Sequence, residues 1–163
     1  MADTYILTKN DIDHLEGTEK THFLNPKAKR VNKSLSDAAG LTGFGFHLIE
    51  GETGCDTTEH HFHYFEDECV YVLSGNASAF IGQDAHPIGR GEIVGYRKGG
   101  LAHSITNSGD TVFRCIVVGE RLSHDVADYT RLHKRIYRQA GMPWSLVDIN
   151  GIETLGEIGR AHV

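Results

Sequence analysis

The stretch Glu59-His60-His61-Phe62-His63-Tyr64-Phe65-Glu66-Asp67-Glu68 decides how the chain is read. Taken as an extended strand, its side chains alternate between two faces. His61 and His63 then share one face, Phe62 and Tyr64 take the other, and His60 points away from His61. Two imidazoles two residues apart on one strand face can converge on a single ion. An acidic corner follows, and Glu68 opens the next strand beside them. A third histidine, His103, precedes another strand one hairpin later. Three imidazoles and a carboxylate suit a divalent first-row metal: Zn, Mn, Fe, Co, Ni or Cu. An isolated H-x-H is more often a surface coincidence, so the surrounding pattern has to support it.

From Leu41 to about Gly119, short apolar runs alternate with glycine turns at roughly 8–12-residue spacing, the pattern of an all-β sandwich or barrel. Phe44 to Ile49, Glu68 to Leu73, Ala77 to Ile81, Glu92 to Tyr96, His103 to Thr106 and Val112 to Val118 read as strands, the last as a central one. Ser74-Gly75-Asn76 is a tight-turn signal that predicts a hairpin between residues 68–73 and 77–81. Residues 1–40 read as a polar N-terminal extension with a weak helix starting at Asn10 or Asp11. Its basic patch, Lys27, Lys29, Arg30 and Lys33, reads as a solvated surface segment. Residues 120–163 form a C-terminal extension. Within it, Arg131 to Arg138 suit either a short strand or a helix, and Leu155 to Val163 have little to bury. Both extensions are expected to wrap the barrel or add edge strands.

A chain of 163 residues argues for one domain. The net charge of −6 argues against nonspecific nucleic-acid binding. No run approaches the roughly 18 apolar residues of a membrane span, so no membrane partner is expected. Met1-Ala2-Asp3-Thr4-Tyr5 carries neither a basic n-region nor an apolar h-region, so no signal peptide is read. The 3 cysteines, Cys55, Cys69 and Cys115, lack C-x-x-C spacing. Their odd number suggests reduced thiols in a cytoplasmic protein rather than a disulfide framework or a thiolate zinc site. There are 19 glycines against 3 prolines, which points to tight turns, and 11 histidines, which favours a metal or acid–base site.

Together these motifs resemble the cupin superfamily. Its first motif reads G-x5-H-x-H-x3,4-E-x6-G. His61-x-His63, four residues, Glu68, six residues and Gly75 fit it without a gap, while the leading Gly54 lies six residues before His61 rather than five. The second motif reads G-x5-P-x-G-x2-H-x3-N. Gly91 begins it, Arg97 stands in place of proline, Gly99 fits, His103 comes one residue late, and Asn107 closes it. The resemblance covers about residues 41–119. It implies an all-β fold, a double-stranded β-helix or jelly-roll barrel with short N- and C-terminal extensions. It also implies that His61, His63, Glu68 and His103 are metal ligands. Glu59 could support a ligand or guard the entrance, and Glu66 and Asp67 read as corner residues unless the register shifts by one.

Four protein ligands on an octahedral ion leave two positions for water or substrate. In one chemistry, the metal holds the carbonyl and neighbouring hydroxyl of an open-chain sugar, and a carboxylate, Glu68, moves a proton between the two carbons. Tyr71-Val72-Leu73-Ser74-Gly75-Asn76-Ala77 is similar to a segment of the mannose-phosphate isomerase cupins. A phosphate would need cations, for which Arg97 and Lys98 are the first candidates, then Arg90 and Arg114. In a second chemistry the ion is Fe(II) and the open positions take O2 and a chelating substrate, as in dioxygenases. A third possibility is a small-molecule-binding module without turnover. Cupin ligands are shared by all three. A homodimer is expected, because open jelly-roll edges invite pairing, with Phe62, Tyr64 and Tyr71 as candidate contacts.

Overall fold

The computed structural model describes residues 5–155. A short helix, α1 (Lys9–His14), comes first. Thr8 caps it: its hydroxyl accepts from the Asp11 amide while the Asp11 carboxylate accepts from the Thr8 amide. The helix expected from Asn10 or Asp11 therefore begins slightly earlier, because Thr8 completes a reciprocal box. Strands β1 (Thr18–His22) and β2 (Asn25–Ser34) follow, then α2 (Leu35–Ala38) and β3 (Phe44–Gly51). The histidine segment forms only a two-residue strand, β4 (Phe62–His63). The barrel continues with β5 (Glu68–Ser74), β6 (Asn76–Ile81), β7 (Asp84–Gly89), β8 (Ile93–Tyr96), β9 (His103–Thr106) and β10 (Phe113–Glu120). The chain then runs through β11 (His124–Tyr129), β12 (Lys134–Gln139) and β13 (Ser145–Asp148).

All pairings are antiparallel and form three sheets, ordered β1-β2-β3-β10-β5-β8, β7-β6-β9 and β13-β12-β11-β4. The first two enclose a core of Ile49, Val70, Val72, Ala77, Ala79, Val94, Ile105, Phe113 and Cys115. Val112–Val118 is central as expected, since β10 lies between β3 and β5. The N-terminal strands extend that sheet at β3, and β11–β13 meet the histidine segment through β4. Arg131–Arg138 resolves into a short 3-10 turn (Thr130–Leu132) and a strand. Among the described residues no helix is long and apolar enough to cross a membrane. The expectation for the C-terminal end falls mostly on residues 156–163, outside the described residues.

The hairpin expected between residues 68–73 and 77–81 does not form. β5 pairs with β10 and β8, whereas β6 pairs with β7 and β9 in another sheet. Gly75, at φ +82°, turns the chain from one sheet to the next rather than back on itself. A Cβ there would lie 2.9 Å from the Val112 carbonyl and 3.0 Å from Phe113 Cα. The basic patch also divides. Strand alternation directs Lys27 and Lys29 to solvent and Arg30 toward the interior, beside buried Ala28 and Asn32.

Gly75→Ala is expected to cost about 1–3 kcal/mol, from the left-handed backbone and the collision with β10. Gly95→Ala, on an exposed strand position with no neighbour within 4 Å, should change stability by no more than about 0.5 kcal/mol. Urea midpoints of the two variants measure the difference.

Candidate metal centre

The histidine segment is held from both sides. His61 and His103 exchange two backbone hydrogen bonds, His61 N to His103 O at 3.0 Å and His103 N to His61 O at 2.7 Å. Two residues on, His63 pairs with Ala127 of β11. This register turns His61 and His63 to one side, with their Nε2 atoms 3.1 Å apart. Glu68, first residue of β5, joins them: the donor atoms of His61, His63 and Glu68 all lie within 4.8 Å of one another. His103 stands alongside, its ring centroid 4.9 Å from that of His61.

Each imidazole is tied through Nδ1. His61 Nδ1 meets the Glu59 carbonyl at 2.7 Å, His63 Nδ1 meets Asp125 Oδ2 at 2.5 Å, and His103 Nδ1 meets the Leu101 carbonyl at 3.3 Å. An acceptor at Nδ1 puts the ring proton there and leaves the Nε2 lone pair facing inward. His103 Nε2 is buried without a hydrogen-bond partner. Two Nε2 lone pairs 3.1 Å apart require positive charge between them, a proton or a metal ion. The donor set and the orphaned nitrogen both fit a divalent cation.

Electrostatics divides these groups. Burial, then the neighbouring His63 and His103, holds the His61 pKa well below the usual imidazole range. Burial lowers His103 to about 4. Burial also pulls on His63, but the Asp125 bond and the Glu68 charge outweigh it and its pKa is raised. Asp125 is partly desolvated, yet its bond to His63 keeps its carboxyl below the usual range. Glu68 is raised by burial, against the opposing pull of His63 and Arg30. Tyr96 stacks on His103 with centroids 3.6 Å apart, and its buried hydroxyl has no partner.

These residues line one end of a cavity of about 720 Å³. Glu66 and Asp67 serve the corner: Glu66 Oε1 accepts from the Leu122 amide at 2.7 Å, and Asp67 Oδ1 accepts from the Lys98 amide at 2.8 Å. Glu66 and Asp125 form a second acidic group around His63, but Arg138 pairs with Glu66 and lies 3.8 Å from Asp125. His60 is buried apart from the cavity wall, its Nδ1 3.2 Å from Ser104 Oγ. Arg97 and Lys98 are exposed in the turn after β8 and do not line the cavity. The Lys98 and Gly99 amides pin that turn to Asp67 and to the His63 carbonyl. Arg90 is also exposed, and Arg114 pairs outward with Glu50 at 2.8 Å. The cations on the wall are instead Lys20, Arg30, Arg121 and Arg138. Asp125 and Tyr129, both inward on β11, were not read from the sequence. Their only signal is the alternation Asp125-x-Ala127-x-Tyr129 in a polar stretch.

A family model for the cupin domain matches residues 47–119. A solved structure from Acidithiobacillus ferrooxidans, named "Putative sugar phosphate isomerase", is 48% identical, with 94% of this chain and 97% of that chain covered at a TM-score of 0.91. The chain belongs to the cupin superfamily. A cupin from Silicibacter pomeroyi named a sugar phosphate isomerase is 26% identical, over 89% of this chain and 95% of that one, with a TM-score of 0.78. A predicted oxalate decarboxylase from Thermotoga maritima shares the fold at 20% identity and a TM-score of 0.57, over 68% of this chain and 96% of that one. None of the curated proteins matches the chain.

His61→Ala or His63→Ala should remove most bound metal, as measured by elemental analysis of the purified protein, whereas His60→Ala should retain it. Asp125→Asn, which leaves the ligands in place and weakens the hold on His63, should lower metal affinity about 10- to 100-fold.

Proposed function

We propose that this cupin is a metal-dependent isomerase of sugar phosphates, with a divalent ion held by His61, His63, Glu68 and His103. The observation that carries the reading is the set of three inward-facing imidazoles and a half-buried carboxylate at one end of a cation-lined cavity. The 48% identity to a protein named as an isomerase of this kind supports the substrate class. When bound, the ion acts as a Lewis acid toward the carbonyl and adjacent hydroxyl of an open-chain sugar. The protein's own groups do the remaining work. The Glu59 and Leu101 carbonyls and Asp125 fix the imidazole tautomers. The Glu68 carboxylate is the group we assign to carry the proton between neighbouring carbons, through the oxygen that does not hold the ion. Tyr96, packed flat on His103, closes that side of the site.

Turnover is expected to need the metal and not oxygen, and to favour a phosphorylated sugar over the free one. The test is a panel of pentose and hexose phosphates followed by NMR under nitrogen, with Mn, Zn, Ni and Fe(II) supplied in turn. Absence of exchange or isomerisation with every metal would reject the reading, and oxygen uptake by the iron-loaded protein would replace it with dioxygenase chemistry.

We also propose a homodimer. Phe62 and Tyr64 are half-buried, and Tyr64 Oη donates to Asp128 at 3.0 Å, so these two residues are largely occupied. Tyr71 and Ile93, paired across β5 and β8, are 45% and 67% exposed and offer the apolar contact. Light scattering at micromolar concentration should give twice the 18.0 kDa chain mass, and Tyr71→Glu should return it to the monomer.

A further inference from the structure

The cavity has a second polar end that the metal centre does not use. Its floor crosses three strands along the row Glu68, Gly119, Gly45, in which Gly119 is in register with each of the other two. All three line the cavity. The two successive glycines add no side chains of their own to this row. A Cβ on Gly119 would lie 3.8 Å from Glu68 Oε2. A Cβ on Gly45 would lie 2.7 Å from His47 Nε2 and 3.5 Å from Arg121 Nε. The missing side chain at Gly45 therefore makes room for the His47 ring, whose Nε2 comes to the cavity wall beside Arg121 Nε.

Both groups are held from behind. Asn32 Nδ2 lies 3.4 Å from His47 Nδ1, and with Asn32 donating, the ring proton sits on Nε2 at the cavity wall. Arg121 Nη1 donates to Asp37 Oδ1 at 2.6 Å and Nη2 to Ser36 Oγ at 3.4 Å, an arrangement that leaves Nε for a ligand. Lys20 and Arg30 also line the cavity, and the buried Nε of Arg30 has no hydrogen-bond partner. The acids nearby are Glu19, Asp37 and Glu120. Asp37 is occupied by Arg121 and Ser34, and Glu120 Oε2 accepts from the Asp67 amide at 2.9 Å. Glu19 also lines the cavity, and His47 Nε2 and Arg121 Nε remain as N–H donors to an anion.

We propose that the cavity wall at His47 and Arg121 binds the phosphate of an open-chain sugar phosphate whose carbonyl end lies at the imidazole cluster. The substrate class rests on the isomerase reading above; the anion site itself does not. Arg121 and His47 thereby take the role that the sequence suggested for Arg97 and Lys98.

The test uses the full-length protein stripped of metal with a chelator, so that phosphate cannot report on a bound ion. Glycerol 3-phosphate is titrated while histidine Cε1–H signals are followed by NMR, His47 being assigned with His47→Gln. The probe should shift the His47 signal, and glycerol should not. Gly45→Ala keeps every charge and the Arg121–Asp37 pair but displaces the His47 ring, whereas Arg121→Gln removes the guanidinium. Both should weaken binding about 10- to 100-fold. An unmoved His47 signal, or undiminished binding in both variants, would overturn the proposal. Binding at His47 without isomerisation under any metal would keep the anion site and remove the isomerase reading. Isomerisation with an unchanged KM in Gly45→Ala would do the reverse.

Discussion

Two backbone hydrogen bonds between His61 and His103 hold the site together. They join the histidine segment to β9, which belongs to the three-stranded sheet. Two residues later the same segment pairs with β11, which belongs to the C-terminal sheet. A strand of only two residues cannot be rigid by itself. It becomes so because each histidine backbone is locked to a different sheet, and the alternation of side chains then turns both imidazoles inward.

Rigid placement matters because the cluster sets several desolvated titratable groups against one another. His61 and His103 are held neutral by burial, Glu68 is raised by burial, and two imidazole nitrogens face each other at 3.1 Å. Such an arrangement persists only where the surrounding fold over-determines it. Asp125 shows how the fold does so. It comes from β11, 62 residues after His63, and holds the ring from outside the barrel sheets. The C-terminal extension is in this sense part of the site, because it supplies the carboxylate that orients the His63 ring.

The cavity joins this centre to a second set of groups on β2, β3 and the segment after β10. The glycine row between them is a packing feature with a chemical consequence. A side chain at Gly45 would collide with the His47 ring. One continuous cavity with unlike ends can bind an unlike-ended molecule in a single orientation.

Local pattern alone determined much of this protein. Alternation and glycine spacing marked the barrel strands, including central β10, and the H-x-H stretch with Glu68 and His103 marked the imidazole cluster. Those features depend on neighbours within one strand or one turn. What tertiary structure decided is which strands meet. Ser74-Gly75-Asn76 looks like a hairpin turn, yet the chain crosses between sheets there, because the close approach of β10 admits only a glycine that leads away. Arg30 reads as one of four basic surface residues, and only its strand phase turns it inward. Asp125, His47 and Arg121 carry no local signal. Their roles come from hydrogen bonds and register between segments far apart in the chain, which a single sequence does not encode as spacing.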